Sequence, residues 1–204
     1  MEIALLVAFL LGLRHSLDAD HLLAVSTSAA RAQTLRGALA SGSSWAAGHM
    51  LTAVAVTILL LVFKDAVLSR FLGQMEAVVA IMLIGVGIVT LKGLHAHPHH
   101  HGRLVHSHPH KHAGETHDHR HLLGMGVVQG LASNDELLVL VSIGLSSVLG
   151  LVAGIAVFGA GVLGGMLLFS GLMRTAAARF RTPLVAGSAG LSIVYGALVL
   201  FGLL

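Results

Sequence analysis

Three histidines stand in apolar surroundings, at His15, His21 and His49, and two aspartates, Asp18 and Asp20, accompany the first two within "RHSLDADHL". A later apolar stretch carries "SNDE", with Asn134, Asp135 and Glu136. Imidazole suits nickel, cobalt, zinc, copper and iron, whereas carboxylate by itself suits magnesium, calcium or manganese. A mixed set without sulfur therefore points to a divalent transition-metal ion. The chain has no cysteine, which excludes thiolate metal sites, disulfides and cysteine nucleophiles. A charge at mid-membrane costs about 2.5–3.5 kcal/mol on insertion scales, so such groups persist only when paired, wetted or holding an ion. Carboxylates would offset the ion's charge in a low dielectric. A carboxylate on the far nitrogen of an imidazole would also fix its tautomer. Imidazole must be neutral to bind, so binding is expected to weaken below about pH 6.5.

Helical geometry sorts these groups. At about 100° per residue, His15, Asp18 and His21 share one face, with Arg14 at its edge and Asp20 pointing nearly the other way. A regular helix cannot aim all of them at one point. Either Asp20 orients a histidine from a neighbouring helix, or the first helix is locally unwound. Trp45, His49 and Thr52 share a face further on, as do Gln129, Ser133 and Glu136, with Asp135 about 100° away.

The elements that must position these residues read as membrane helices. Of 204 residues, 55% are hydrophobic and only 10% charged, against about a quarter charged in a soluble domain. Apolar runs of spanning length recur. The expected fold is an all-α integral membrane protein with six transmembrane helices, at about 2–28, 39–63, 75–95, 122–147, 148–173 and 184–204. With Glu2 acidic and no basic segment before the first run, that run is expected to be retained and not cleaved. The fifth connection is expected at "RTAAARFRTP". Residues 1–95 form a first three-helix half and 122–204 a second.

Basic residues set the orientation. Connections one, three and five carry Arg31, Arg36, Lys92, Arg103, Lys111, Arg120, Arg174, Arg179 and Arg181, and the other side only Lys64 and Arg70. The rule that positive connections stay inside places the odd ones in the cytoplasm and both termini outside a cell membrane. The net charge of +3 is thus no nucleic-acid signal.

Between the halves, residues 96–121 form a histidine-rich loop, and residues 95–121 hold twelve of the fifteen histidines. Such a segment cannot bury a core and is expected to be disordered without metal. It reads as a metal buffer, donor or sensor.

The halves also resemble each other. "DADHLLAV" aligns with "SNDELLVL" and "AGHML" with "LGGML", at offsets of 115 and 116 residues. Three helices per half make this a 3+3 inverted repeat, a plan that puts a transport site at the repeat interface. Gly150–Gly154 and Gly161–Gly165 are spaced for close helix contact.

"RHSLDADHL" resembles the signature of the nickel/cobalt transporter family, in which His, four residues, Asp and His lie on one membrane helix. Those positions here are His15, Asp20 and His21, with Asp18 also matching. "AGHML" is similar to the family's second motif, at Gly48 and His49, while "LASNDEL" occupies the place of a later acidic motif without sharing its sequence. Six spans, where the family often has eight, depart from the pattern. The histidine-rich connection is similar to that of nickel/cobalt efflux proteins, and the small size to urease-accessory-type nickel permeases. The resemblance implies a secondary permease for nickel or cobalt, not an enzyme, with the ion as cargo and no permanently bound cofactor. Uptake is slightly favoured over efflux. Candidate metal residues are His15, Asp18, Asp20, His21, His49, Asn134, Asp135 and Glu136. Expected partners are the ion and the lipid bilayer, with no nucleic acid; a homo-oligomer or an accessory subunit stays open. The competing readings are an intramembrane metalloenzyme, against which the H-E-x-x-H motif is absent, and a haem protein with His21 and His49 as axial ligands.

Overall fold

A computed structural model describes residues 2–63, 74–94, 99–101, 104–106, 119–132 and 148–204. Within them the helices are α1 (Glu2–His15), α2 (Ala19–Arg31), α3 (Leu35–Phe63), α4 (Met75–Lys92), α5 (His119–Ala132) and α6 (Val148–Leu200). Two short strands, β1 (His99–His101) and β2 (Leu104–His106), pair antiparallel within the histidine tract, with His99 opposite His106.

Among the described residues three helices, α3, α4 and α6, are long and apolar enough to cross a membrane. Much of their outer surface is apolar too: Leu51, Val89, Leu149 and Leu168 are all strongly exposed. A chain that leaves large aliphatic side chains outward along such helices is built for lipid.

The six expected spans are not recovered one helix each. The first run, read as one span over 2–28, is two helices of 14 and 13 residues, each shorter than the roughly 20 residues a crossing needs. The chain leaves α1 through tight bonds from Ser16 N to Gly12 O, Leu17 N to Arg14 O and Asp18 N to His15 O. Asp18 then enters α2 from an extended conformation, φ −63° and ψ 143°. Ser16 and Asp18 are residue types that compete with helical backbone bonds, and Ser16 Oγ does donate to Leu13 O at 2.7 Å.

The last two expected spans are arms of α6, and the loop expected at 174–183 is helical apart from one residue. Phe180, at φ −127° and ψ 40°, breaks the helix, and Pro183 follows three residues later. Proline is tolerated in the first turn of a new helix, where its missing N–H has no partner to lose. A straight helix of 53 residues would extend about 80 Å, far beyond a bilayer core of about 30 Å. The break instead turns the chain back: Phe158 of the first arm reaches the His15 ring, and Tyr195 of the second borders a cavity with Asp20.

Glycines set the closest helix crossings. A single added carbon at Gly126 of α5 would collide with the Trp45 carbonyl oxygen of α3 and stand 2.8 Å from the His49 amide nitrogen. Across the same crossing, a carbon at Gly48 would collide with the Leu123 carbonyl oxygen. On the other side of the core, Gly161 packs against Phe9 and Leu13 of α1, and Gly165 against Ser16. The core itself joins Trp45, Leu83, Leu122, Phe158, Val162 and Met166.

At one end of the molecule, arginines tie helix ends together. Arg31 Nη2 donates to Thr90 O at 2.9 Å, Arg174 Nη2 to Gln33 O at 2.8 Å and Arg181 Nη2 to Arg31 O at 2.7 Å. Cations suit these carbonyl-rich ends of α2 and α4. The basic residues of the first and fifth connections and the end of α4 therefore share one face.

Candidate metal centre

Among the largest fully buried side chains of the core are His21, His49 and Gln129. Polar groups this large reach the interior only when their donors and acceptors are met. His15 joins them, 2% exposed. The helix break is what brings His15 and His21 together: His15 ends α1, His21 lies in the first turn of α2, and His49 faces both from α3. One ligating atom of each lies within 4.8 Å of the others.

The rings are held from several sides. His49 stacks on Trp45, with centroids 4.8 Å apart and planes at 18°. His15 meets His21 edge to face at 4.6 Å, and Phe158 closes the far side of His15 at 5.7 Å. Such packing locks rotamers and spares a site the entropy of ordering its ligands. His21 and His49, the pair proposed for haem, are edge to face with centroids 4.9 Å apart, which leaves no room for a macrocycle between them.

Proton positions follow from the neighbours. His21 Nδ1 lies 2.9 Å from the His15 carbonyl oxygen, so Nδ1 carries a hydrogen. Its Nε2 faces Asp20 Oδ2 at 3.3 Å. A proton or a metal cation at Nε2 would each be favoured by the carboxylate beside it. At His15, Asp18 Oδ2 approaches Nδ1 to 3.2 Å. His15 Nε2 and His49 Nε2 are 3.0 Å apart, so one of the two carries the shared hydrogen. His49 Nδ1 is buried and without a hydrogen-bond partner among the described residues.

This donor set fits a divalent transition metal. Three imidazoles with carboxylates beside two of them match the ligand preference of nickel, cobalt or zinc. The end of α1 adds the negative pole of a helix, favourable to a cation.

Asp20 borders the ring cluster at His21 and is held from its other side. Its Oδ2 accepts from Gln129 Nε2 at 3.1 Å, and Gln129 Oε1 accepts from Trp45 Nε1 at 2.6 Å. Because indole can only donate, the Gln129 amide orientation is determined. A chain of contacts thus runs Trp45–Gln129–Asp20–His21 across α3, α5 and α2. Gln129 was readable in the sequence only as a polar member of a helix face. The tie to Asp20 had no signal there, since the partners are 109 residues apart. Of the two alternatives for the first run, the broken helix is the one found; Asp20 contacts Gln129 of α5 and His21 of its own helix, not a histidine of a neighbouring one.

Asp18 is partly exposed and Arg14 exposed. Asn134, Asp135 and Glu136 lie outside the described residues, as does "SNDELLVL" in the proposed repeat. Position 165, which aligns with His49, is a glycine packed on Ser16.

No family model matches the chain, and no solved structure matches it. One relative, the urease accessory protein UreH of Bacillus sp. (strain TB-90), is 27% identical over 171 residues, which span 83% of this chain and 75% of that protein.

Proposed function

We propose that the chain is a secondary membrane transporter of divalent nickel or cobalt, with the ion as cargo and no permanently bound cofactor. The observation that carries this reading is the convergence of three buried imidazoles, His15, His21 and His49, from three separate helices. The motifs "RHSLDADHL" and "AGHML" support it. So does the similarity to a protein named as a urease accessory protein, the class that the sequence resembles in size. That name is an accessory protein's and not an enzyme's, in keeping with a chain that moves an ion and does not transform it.

In this mechanism His15, His21 and His49 replace part of the ion's water. Asp20 balances its charge beside His21, and Asp18 adds charge beside His15. Asn134, Asp135 and Glu136, which follow α5 in the sequence, supply further charge or orient the ligands. The basic face of Arg31, Arg174 and Arg181 lies toward the cytoplasm, with the histidine tract on the same side and both termini outside. Residues 1–95 and 122–204 act as the two halves of an inverted repeat around the site. Uptake draws on the membrane potential, worth about 2.3 kcal/mol per charge per 100 mV.

The test is metal flux into vesicles containing the purified protein, comparing nickel, cobalt, zinc and manganese under an imposed potential or pH gradient. Nickel or cobalt should move fastest, and His15→Ala, His21→Ala and His49→Ala should each abolish flux while the protein still inserts. Wild-type rates in all three variants would remove the site.

A further inference from the structure

Asp20, the carboxylate against His21, also borders a cavity of about 270 Å³ whose walls include Glu76, Val79, Leu83 and Tyr195. It belongs to the end of the molecule away from the arginine ties: Glu76 is in the first turn of α4, whereas Thr90, near the other end of that helix, accepts from Arg31. Resting on the transport reading above, we infer that this cavity is the vestibule in which a hydrated divalent cation is captured, and that Glu76 is its capture residue.

Size, charge and continuity support the assignment. Six water molecules at about 30 Å³ each occupy about 180 Å³, so the cavity admits the ion with its hydration shell intact. Its two carboxylates, Asp20 and Glu76, match a double positive charge. Its remaining walls include Val79, Ala80 and Leu83, and low-dielectric walls concentrate the field of the acids on the space between them. Asp20 belongs to both compartments, since it borders the cavity and its Oδ2 lies 3.3 Å from His21 Nε2. An ion held by Glu76 and Asp20 through water therefore needs only to exchange water for imidazole to enter the buried cluster. Glu76 touches none of the three histidines in this scheme. It raises the local ion concentration and sets how readily an ion enters, while the maximal rate stays with the histidines.

A carboxylate in the first turn of a helix also complements the helix dipole. That simpler role would leave transport kinetics untouched, and the test separates the two. Nickel flux into vesicles is measured against nickel concentration for the wild type, Glu76→Gln and Glu76→Asp. Glu76→Gln should raise KM about fivefold to tenfold at low ionic strength with little change in maximal rate, and the difference should shrink in high salt as screening takes over. Glu76→Asp should recover most of the affinity. An unchanged KM in Glu76→Gln, or a fall in maximal rate alone, would overturn the assignment.

A second variant tests the cavity without touching the acids. The chain has no cysteine, so Val199→Cys on the cavity wall can be labelled singly, with flux read before and after reaction. A positively charged thiol reagent should react, cut flux severalfold, and react more slowly with nickel present. Failure to react, or reaction with flux unchanged, would refute a vestibule there. Loss of flux in His49→Ala with Glu76→Gln at wild-type KM would sink the vestibule alone, whereas wild-type flux in His49→Ala would sink the metal centre itself.

Discussion

Gln129 Nε2 on α5 donates to Asp20 Oδ2 on α2 at 3.1 Å, and this bond joins two stretches of chain that share no local pattern. It sets the position of the carboxylate that lies against His21, and it is anchored in turn by the Trp45 indole. Second-layer contacts of this kind commonly decide how well a metal site is organised.

Gln129→Leu should therefore weaken nickel binding about 10-fold to 100-fold, the usual effect of losing such support. It also strands the buried Trp45 N–H, a defect of about 1–3 kcal/mol. Flux KM and thermal unfolding in detergent read the two effects. Wild-type values for both would mean that the Trp45–Gln129–Asp20 chain organises nothing.

Crossing distance between α3 and α5 gives a paired test. At Gly126 an added carbon meets Trp45 and His49 backbone, while at Gly124, on the same helix, it meets nothing within 4 Å. Gly126→Ala should destabilise by about 1–3 kcal/mol through overpacking and displace His49 from His15. Gly124→Ala should be neutral or slightly stabilising, since alanine is the better helix former. Equal unfolding temperatures for the two variants would contradict the close crossing.

Removal of residues 97–121 probes the histidine tract apart from the buried centre. Flux should persist, with altered apparent affinity or altered response to metal load. Complete loss of flux at normal expression would place the tract in the pathway.

Much of the centre was legible because its chemistry is out of place. His15, His21 and His49 stand out in apolar sequence, and the 100° geometry already showed that one regular helix could not direct Asp18, Asp20 and both histidines to a single point. The structure resolves that conflict by ending α1 at His15. Less legible was the course of α6. "RTAAARFRTP" looks like a connection because it is charged, yet alanine and arginine favour helix, and the turn is concentrated at Phe180. Nor did the sequence point to Phe158, Tyr195 or Glu76 beside the site, since apolar and first-turn acidic residues are common in any membrane helix. Only packing reveals which of them lie beside the rings or the cavity.

Phe180 has one further consequence. From it, the first arm carries Phe158 to the His15 ring and the second carries Tyr195 to the cavity of Asp20 and Glu76. Tyr195 lies about 22 Å along the second arm from that joint. Gly196 of that arm lies against the Ala80 carbonyl and Gly87 of α4 against the Ala189 carbonyl, so the angle at Phe180 fixes where the whole second arm docks and, with it, the wall that Tyr195 gives the cavity.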